Sequence, residues 1–347
     1  MMQNISFVID TSAFVEALLF GVFGFAFAML ITPLYTTLAY KYKWWKRART
    51  NAVTGEKATL YQKLHAEKHR HNIPTMAGII FVVSTAIVTL SVNLDRTQTW
   101  LPLAAMVGAG AVGLLDDILN IKGLNKSVAG LRARTKSILI FLVSLVGGWW
   151  FYAKLGVDAI HVPAVGDVTL GWLIIPLFIL VVISTANAVN ISDGLDGLAG
   201  GLAAIAFSIY GLIAMLQGEY GIAGFCITVT GALLSYTWFN IHPARFFMGD
   251  SGSFALGTAL GVVAMLTNTV LLLPIIGGVF VVEAGSSLIQ IMSKKLRNGK
   301  KVFKIAPIHH HFEAEGWPET KVTMRFWVLG TICAFMGLIL YLLEQLS

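Results

Sequence analysis

Apolar residues in this chain run together instead of recurring at the spacing of a half-buried helix or strand. Mostly apolar runs of about 17 to 25 residues fall near residues 14–36, 75–94, 98–115, 135–153, 171–190, 195–216, 221–240, 251–267, 270–292 and 326–344. Backbone groups in hydrocarbon must be hydrogen-bonded within their own segment, so each run predicts a helix. The runs at 98 and 251 are short, which predicts tilt, a break or a partly re-entrant path. The pattern predicts an all-α integral membrane protein with about ten transmembrane helices, forming one polytopic unit over residues 1–347. No internal repeat is visible, and the paired Gly/Pro-interrupted spans of an inverted-repeat transporter are missing.

Composition agrees. Of 347 residues, 56% are hydrophobic and 12% charged, too little charge to cover a soluble domain of this length. The net charge of +7 therefore says little about nucleic acid, and no nucleic-acid partner is expected. What matters is where the cations lie. The loops after runs 1, 3, 5, 7 and 9 hold 9, 5, 0, 1 and 8 Lys/Arg, counting Lys136 at the start of run 4, which is 23 of the 25. Only Arg96 and Lys154 fall on the other side. This asymmetry predicts cytoplasmic odd-numbered loops and both termini extracytoplasmic. Asp10 and the absence of Lys or Arg ahead of the first run do not fit a cleavable signal peptide, so the first span is expected to stay. Cys226 and Cys333 lie inside apolar runs and read as packing residues.

The same sorting gathers the polar chemistry at one face. Asp116, Asp117, Asp193, Asp196, Asp250 and seven of the eight histidines fall at predicted cytoplasmic helix ends, which predicts a cytoplasmic active-site cleft. Asp116 and Asp117 close run 3 as adjacent carboxylates, opposing the macrodipole at a helix C-terminus and calling for a cation. In Asn187-Ala-Val-Asn190-Ile-Ser-Asp193-Gly-Leu-Asp196 the last three polar residues recur every three positions, without any cation in that loop. An Asx/Gly turn or a site for metal, nucleotide or sugar would both fit. Asp250, in Met248-Gly249-Asp250-Ser251-Gly252, reads as an N-cap or as the third oxygen donor that Mg²⁺ would take beside an aspartate pair. His309-His310-His311 follows six cations and cannot face one ion as a unit, so a phosphate-facing or acid/base role is preferred over zinc.

These stretches together resemble the polyprenyl-phosphate N-acetylhexosamine-1-phosphate transferase superfamily, and within it the phospho-N-acetylmuramoyl-pentapeptide transferase family. The resemblance covers about Pro74 to Trp327. Its most specific part is the histidine run, with Lys304-Ile-Ala-Pro307 before it and Phe312-Glu313 and Gly316-Trp317-Pro318 after it. What the resemblance implies is a Mg²⁺-dependent homodimer in the inner, cytoplasmic membrane of a bacterium, joining UDP-MurNAc-pentapeptide to undecaprenyl phosphate and releasing UMP. It implies catalytic roles for Asp116, Asp117, Asp250 and His309, with Asp117 and Asp250 holding the metal. It assigns substrate binding to Thr75, Arg70, Lys136, Asn187, Asn190, Asp193, Asp196, Gln290, His310 and His311, and matches Glu283 to a position in the ninth helix. The chain departs from the family pattern at Ile118, Asn120, Arg70-His71-Asn72 and Ala77.

Phosphoryl transfer between two anionic substrates is mostly positioning and charge neutralisation. Direct attack by the lipid phosphate, with Asp116 taking its proton, is preferred to a covalent aspartyl route because a phosphate monoester is already a nucleophile. The runner-up is a related transferase using UDP-GlcNAc. An ion-coupled transporter is the alternative of another class, disfavoured because only Glu283 lies deep in a run.

Overall fold

The computed structural model describes residues 10–45, 72–123 and 130–346. Arg70, with His65, His69, His71 and Lys126, lies outside the described residues. Helices α1 (Thr11–Lys41), α2 (Gly78–Val92), α3 (Trp100–Lys122) and α4 (Ala133–Ala153) precede a two-stranded hairpin, β1 (Ala159–Val162) and β2 (Gly166–Thr169). There follow α5 (Ile174–Ser192), α6 (Leu198–Leu216), α7 (Tyr220–Asn240), α8 (Asp250–Leu266), the short α9 (Leu273–Ile276), α10 (Gly278–Leu296), α11 (Ile308–Ala314) and α12 (Glu319–Gln345).

Every apolar run falls on helix, but the helices are not equivalent. Among the described residues, seven are long and apolar enough to cross a bilayer, or eight counting one bent pair. That pair corrects the run at 270–292. It is not one straight span, since the segment breaks at Gly277 and α10 leaves it at 81°. The adjacent glycines Gly277 and Gly278 lower the helix propensity at the break, and Pro274 in the first turn of α9 is at a position where its missing N–H costs nothing. α2 and α8 are shorter, at 15 and 17 residues. α8 is apolar all round because it is the central helix, with every residue from Ser251 to Met265 buried. It packs against α2, α3 and α5.

Small residues let these helices meet, as membrane helices do where dispersion must replace the hydrophobic effect. A Cβ added at Gly231 of α7 would lie 1.9 Å from the Gly21 carbonyl oxygen of α1. One added at Gly113 of α3 would lie 2.0 Å from the Asp250 carbonyl oxygen at the head of α8.

The hairpin is absent from the apolar pattern, because each strand is only four residues long, far short of a membrane-spanning run. It sits at the end of the bundle opposite Asp116, pinned to the last turn of α12. His161 pairs through Nε2 with Glu344 at 2.7 Å and through Nδ1 with Asp167 at 2.8 Å, and the Ala164 N–H donates to Glu344 at 3.1 Å. Glu344 and then Asp167 raise the His161 pKa above its ordinary 6.5. A raised folded-state pKa means the clasp contributes fully below the unfolded value and is lost as pH rises through the folded one. Amide exchange in residues 159–169 is therefore expected to accelerate, beyond the intrinsic rate increase, as pH climbs through the raised His161 pKa. His161→Gln should abolish that pH dependence.

Candidate active site

The aspartate pair was expected to close its helix. α3 instead continues for five more residues to Lys122 and ends on Gly123 in the left-handed conformation. Asp116 and Asp117 are thus buried inside the helix, at 1% and 0% exposure. Successive helical positions point about 100° apart, so the two carboxylates serve different partners. Asp117 reaches the start of α8, where its oxygens accept the N–H groups of Asp250 (3.3 Å) and Ser251 (3.0 Å). Two of the four N–H groups that a helix start leaves unbonded are satisfied in this way, by a carboxylate at the positive end of the dipole. Gly249 allows it, because its φ of +75° suits glycine and a Cβ there would lie 2.5 Å from Asp117 Oδ2.

Asp116 turns toward α4. Its Oδ1 accepts the Leu131 N–H at 2.7 Å, and its Oδ2 lies 3.1 Å from Lys136 Nζ. Lys136 also pairs with Asp250 Oδ2, so one ammonium bridges the two carboxylates that would otherwise repel. Asn190, one turn before the end of α5, donates to Ser253 Oγ at 2.8 Å and to Asp250 Oδ1 at 3.4 Å. Thr75 completes this side. It is wholly buried with an unpartnered Oγ1, which would lie 2.8 Å from a Cβ at Gly249. Its backbone is fixed by the Tyr35 hydroxyl, 2.6 Å from the Thr75 carbonyl, and by the Trp44 carbonyl, 2.7 Å from the Thr75 N–H.

Asp116, Asp117 and Asp250 can each place an oxygen within 4.8 Å of the others. Three hard oxygen donors, with a buried hydroxyl left unbonded beside them, fit Mg²⁺ better than a soft metal.

The histidines divide. They lie side by side in the seven-residue α11, and the helical turn points each ring differently. His309 and Glu283 of α10 are both fully buried and pair at 2.7 Å. His310 pairs with Glu313 at 2.6 Å, and His311 Nδ1 accepts the Lys304 N–H at 3.2 Å. Glu283 is thus the partner of the most buried histidine. A Cβ at Gly194 would lie 2.3 Å from His309 Nε2, so the loop carrying Asp193 lies directly against that ring.

Other expected residues stand apart. Asp196 joins His242 (3.0 Å) and the Ala244 N–H (3.1 Å), while its own N–H donates to Glu319 at 2.6 Å. Gln290 fixes the loop after α10, accepting from Val302 and Phe303 N–H and donating to the Phe303 carbonyl, which uses three of its four hydrogen-bonding positions. Asn187 is exposed and bonds back to Ile183 of its own helix at 2.7 Å. Sequence reasoning gave no site role to Ser253 or Glu319, and placed His242 only among the histidines of the cytoplasmic helix ends. The only local hint was the acidic residue directly after Trp317-Pro318 at a helix start.

The family model for glycosyl transferase family 4 matches residues 99–268, from the start of α3 to the end of α8. Bundle and site together define a polytopic membrane transferase. Relatives from Geobacillus sp. (strain WCH70), at 38% identity over 91% of this chain and 95% of their own length, and from Chloroflexus aurantiacus (strain ATCC 29366 / DSM 635 / J-10-fl), at 37% over 94% and 90%, are phospho-N-acetylmuramoyl-pentapeptide-transferases. A Clostridium botulinum (strain Eklund 17B / Type B) relative of the same name is 37% identical over 91% of this chain. The chain belongs to the phospho-N-acetylmuramoyl-pentapeptide-transferase family.

Proposed function

We propose that this protein transfers phospho-MurNAc-pentapeptide from UDP-MurNAc-pentapeptide to undecaprenyl phosphate, giving lipid I and UMP. The observation that carries this reading is the junction of α3, α4, α5 and α8. There three carboxylates, a lysine and an asparagine from four separate helices converge at one end of the bundle. Membership of the family supplies the substrates. An ion-coupled transporter has little to recommend it, because Glu283 is consumed by His309.

Asp117 and Asp250, with Asp116 adjacent, would hold Mg²⁺, which when bound supplies charge neutralisation for the pyrophosphate. The chain's own groups do the rest. Lys136 carries an ammonium that phosphate oxygens can share with the carboxylates. Thr75 offers a buried hydroxyl beside them. The lipid phosphate oxygen attacks the β-phosphorus as the bond to the UMP oxygen breaks, and Asp116 takes the proton if the lipid phosphate arrives as the monoanion. Asn190 orients Asp250 through its amide, and the loop of Asp193 lies against His309. The exposed apolar flanks of the helices face lipid and admit the prenyl chain sideways.

The reading also includes ten crossing helices, α2 and α8 among them, with both termini outside, the site facing the cytoplasm and a homodimer in the bacterial inner membrane. The sorted Lys/Arg loops support that orientation.

Purified protein in detergent with undecaprenyl phosphate and Mg²⁺ is expected to release UMP from UDP-MurNAc-pentapeptide and not from UDP-GlcNAc, and a chelator should stop it. Release from UDP-GlcNAc alone would identify the runner-up transferase. No release from either would end the reading.

A further inference from the structure

The loop joining α5 and α6 carries Asp193 and Asp196, and its second half is tied to helices distant in the chain. Its backbone is held by α12. The Asp196 N–H donates to Glu319 Oε1 at 2.6 Å, the Thr323 hydroxyl donates to the Asp196 carbonyl at 3.2 Å, and Trp327 Nε1 donates to the Gly197 carbonyl at 3.2 Å. Glu319, Thr323 and Trp327 recur every four residues and so form one stripe along the first turns of α12. The end of α7 completes the clamp, with the Gly197 N–H donating to Asn240 Oδ1 at 2.9 Å.

Glu319 does more than favour its own helix start. Its second oxygen lies 3.5 Å from His242 Nδ1, which is also 3.0 Å from Asp196 Oδ2. One carboxylate of α12 therefore meets both the backbone of the loop and the imidazole that faces the Asp196 side chain.

We infer that Glu319 is a positioning residue for nucleotide-sugar binding, aiming the Asp193–Asp196 loop from the N-terminus of α12. The inference rests on the proposed transferase reaction and extends it to a residue outside the site. The loop it holds carries two carboxylates, of which Asp196 is already bonded to His242 and the Ala244 N–H, and carboxylates repel a phosphate. A polyprenyl phosphate presents only phosphate and hydrocarbon, and gains nothing from such a loop. A uridine nucleotide sugar presents imide, amide and hydroxyl donors that carboxylates accept. Disorder in the loop must therefore weaken the donor and leave the lipid acceptor untouched.

The test is steady-state kinetics on the full chain in detergent, with a direct titration of UMP as a binding probe. Glu319→Ala should raise the KM for UDP-MurNAc-pentapeptide and the Kd for UMP about tenfold, the size of one lost charge-assisted hydrogen bond. The KM for undecaprenyl phosphate, and kcat, should stay within about twofold, the signature of lost ground-state binding. Glu319→Gln keeps an acceptor for the Asp196 N–H and should stay within about twofold throughout. If Glu319→Ala does not yield folded protein, Thr323→Val removes the neighbouring contact and should raise the donor KM in the same direction by a smaller factor. Equal changes in both KM values, a fall in kcat alone, or no change would overturn the inference. A wild-type protein that releases no UMP would instead remove the transferase reading beneath it.

Discussion

Asp250→Asn is expected to lower UMP release by about three orders of magnitude or more while leaving a folded protein. Losing one preorganised electrostatic contact of an oxyanion hole costs about 10²–10³ in kcat. Here the same carboxylate is also a proposed metal ligand and the partner of Lys136. The fold should survive because the head of α8 is capped from outside. Asp117 accepts the backbone N–H groups of residues 250 and 251, and neither bond uses the Asp250 side chain. Lys136 keeps Asp116 as its partner at 3.1 Å. Thermal unfolding in detergent should shift little as turnover disappears. Asp117→Asn separates the roles from the other side. Its amide nitrogen would face one of the two N–H donors, so that variant should lose stability and activity together. Wild-type turnover in Asp250→Asn would remove Asp250 from the chemistry.

Gly113→Ala is expected to have the largest effect on stability of any single methyl group in the site. The added Cβ would lie 2.0 Å from the Asp250 carbonyl oxygen, 2.3 Å from its carbonyl carbon and 2.6 Å from the Ser251 nitrogen. All three are backbone atoms, so no side chain can rotate away. α3 and α8 must separate by more than an ångström, and the Asp117 bonds to α8 stretch with them. Overpacking of this kind costs about 3 kcal/mol or more, and turnover should fall with it. Gly285→Ala in α10 is the control, because its Cβ would meet nothing within 4 Å. Replacing an unconstrained helical glycine should be neutral or stabilising by about 1 kcal/mol. A Gly113→Ala protein with the wild-type unfolding temperature would show that α3 and α8 are not interlocked at this point.

Both predictions concern contacts that no spacing rule reaches. Asp117 and the head of α8 are 133 and 134 residues apart, and Lys136 and Asp250 are 114 apart. Short-range arguments erred for the same reason. The aspartate pair seemed to close a helix because hydropathy falls at Asp116, yet the helix continues, since its polar end is buried by α8 and by the loop before α4. The asparagine and aspartates of residues 190–196 seemed to share one face. The helix ends at Ser192, and Asn190 goes to Asp250 while Asp196 goes to His242 and Glu319.

The sequence by itself determined the membrane class, the positions of the apolar helices and the family. It also set the expectation that the polar chemistry gathers on the face that holds the cations. Run length, hydropathy and contiguous motifs are local properties, and each is complete within a few dozen residues. Tertiary structure alone decided which partner each polar residue meets. Asp117 caps α8, Asp116 and Asp250 share Lys136, Glu283 meets His309, and Glu319 holds the loop of Asp196. Those partnerships arise where separate helices pack against one another, and the chain is silent about them until it folds.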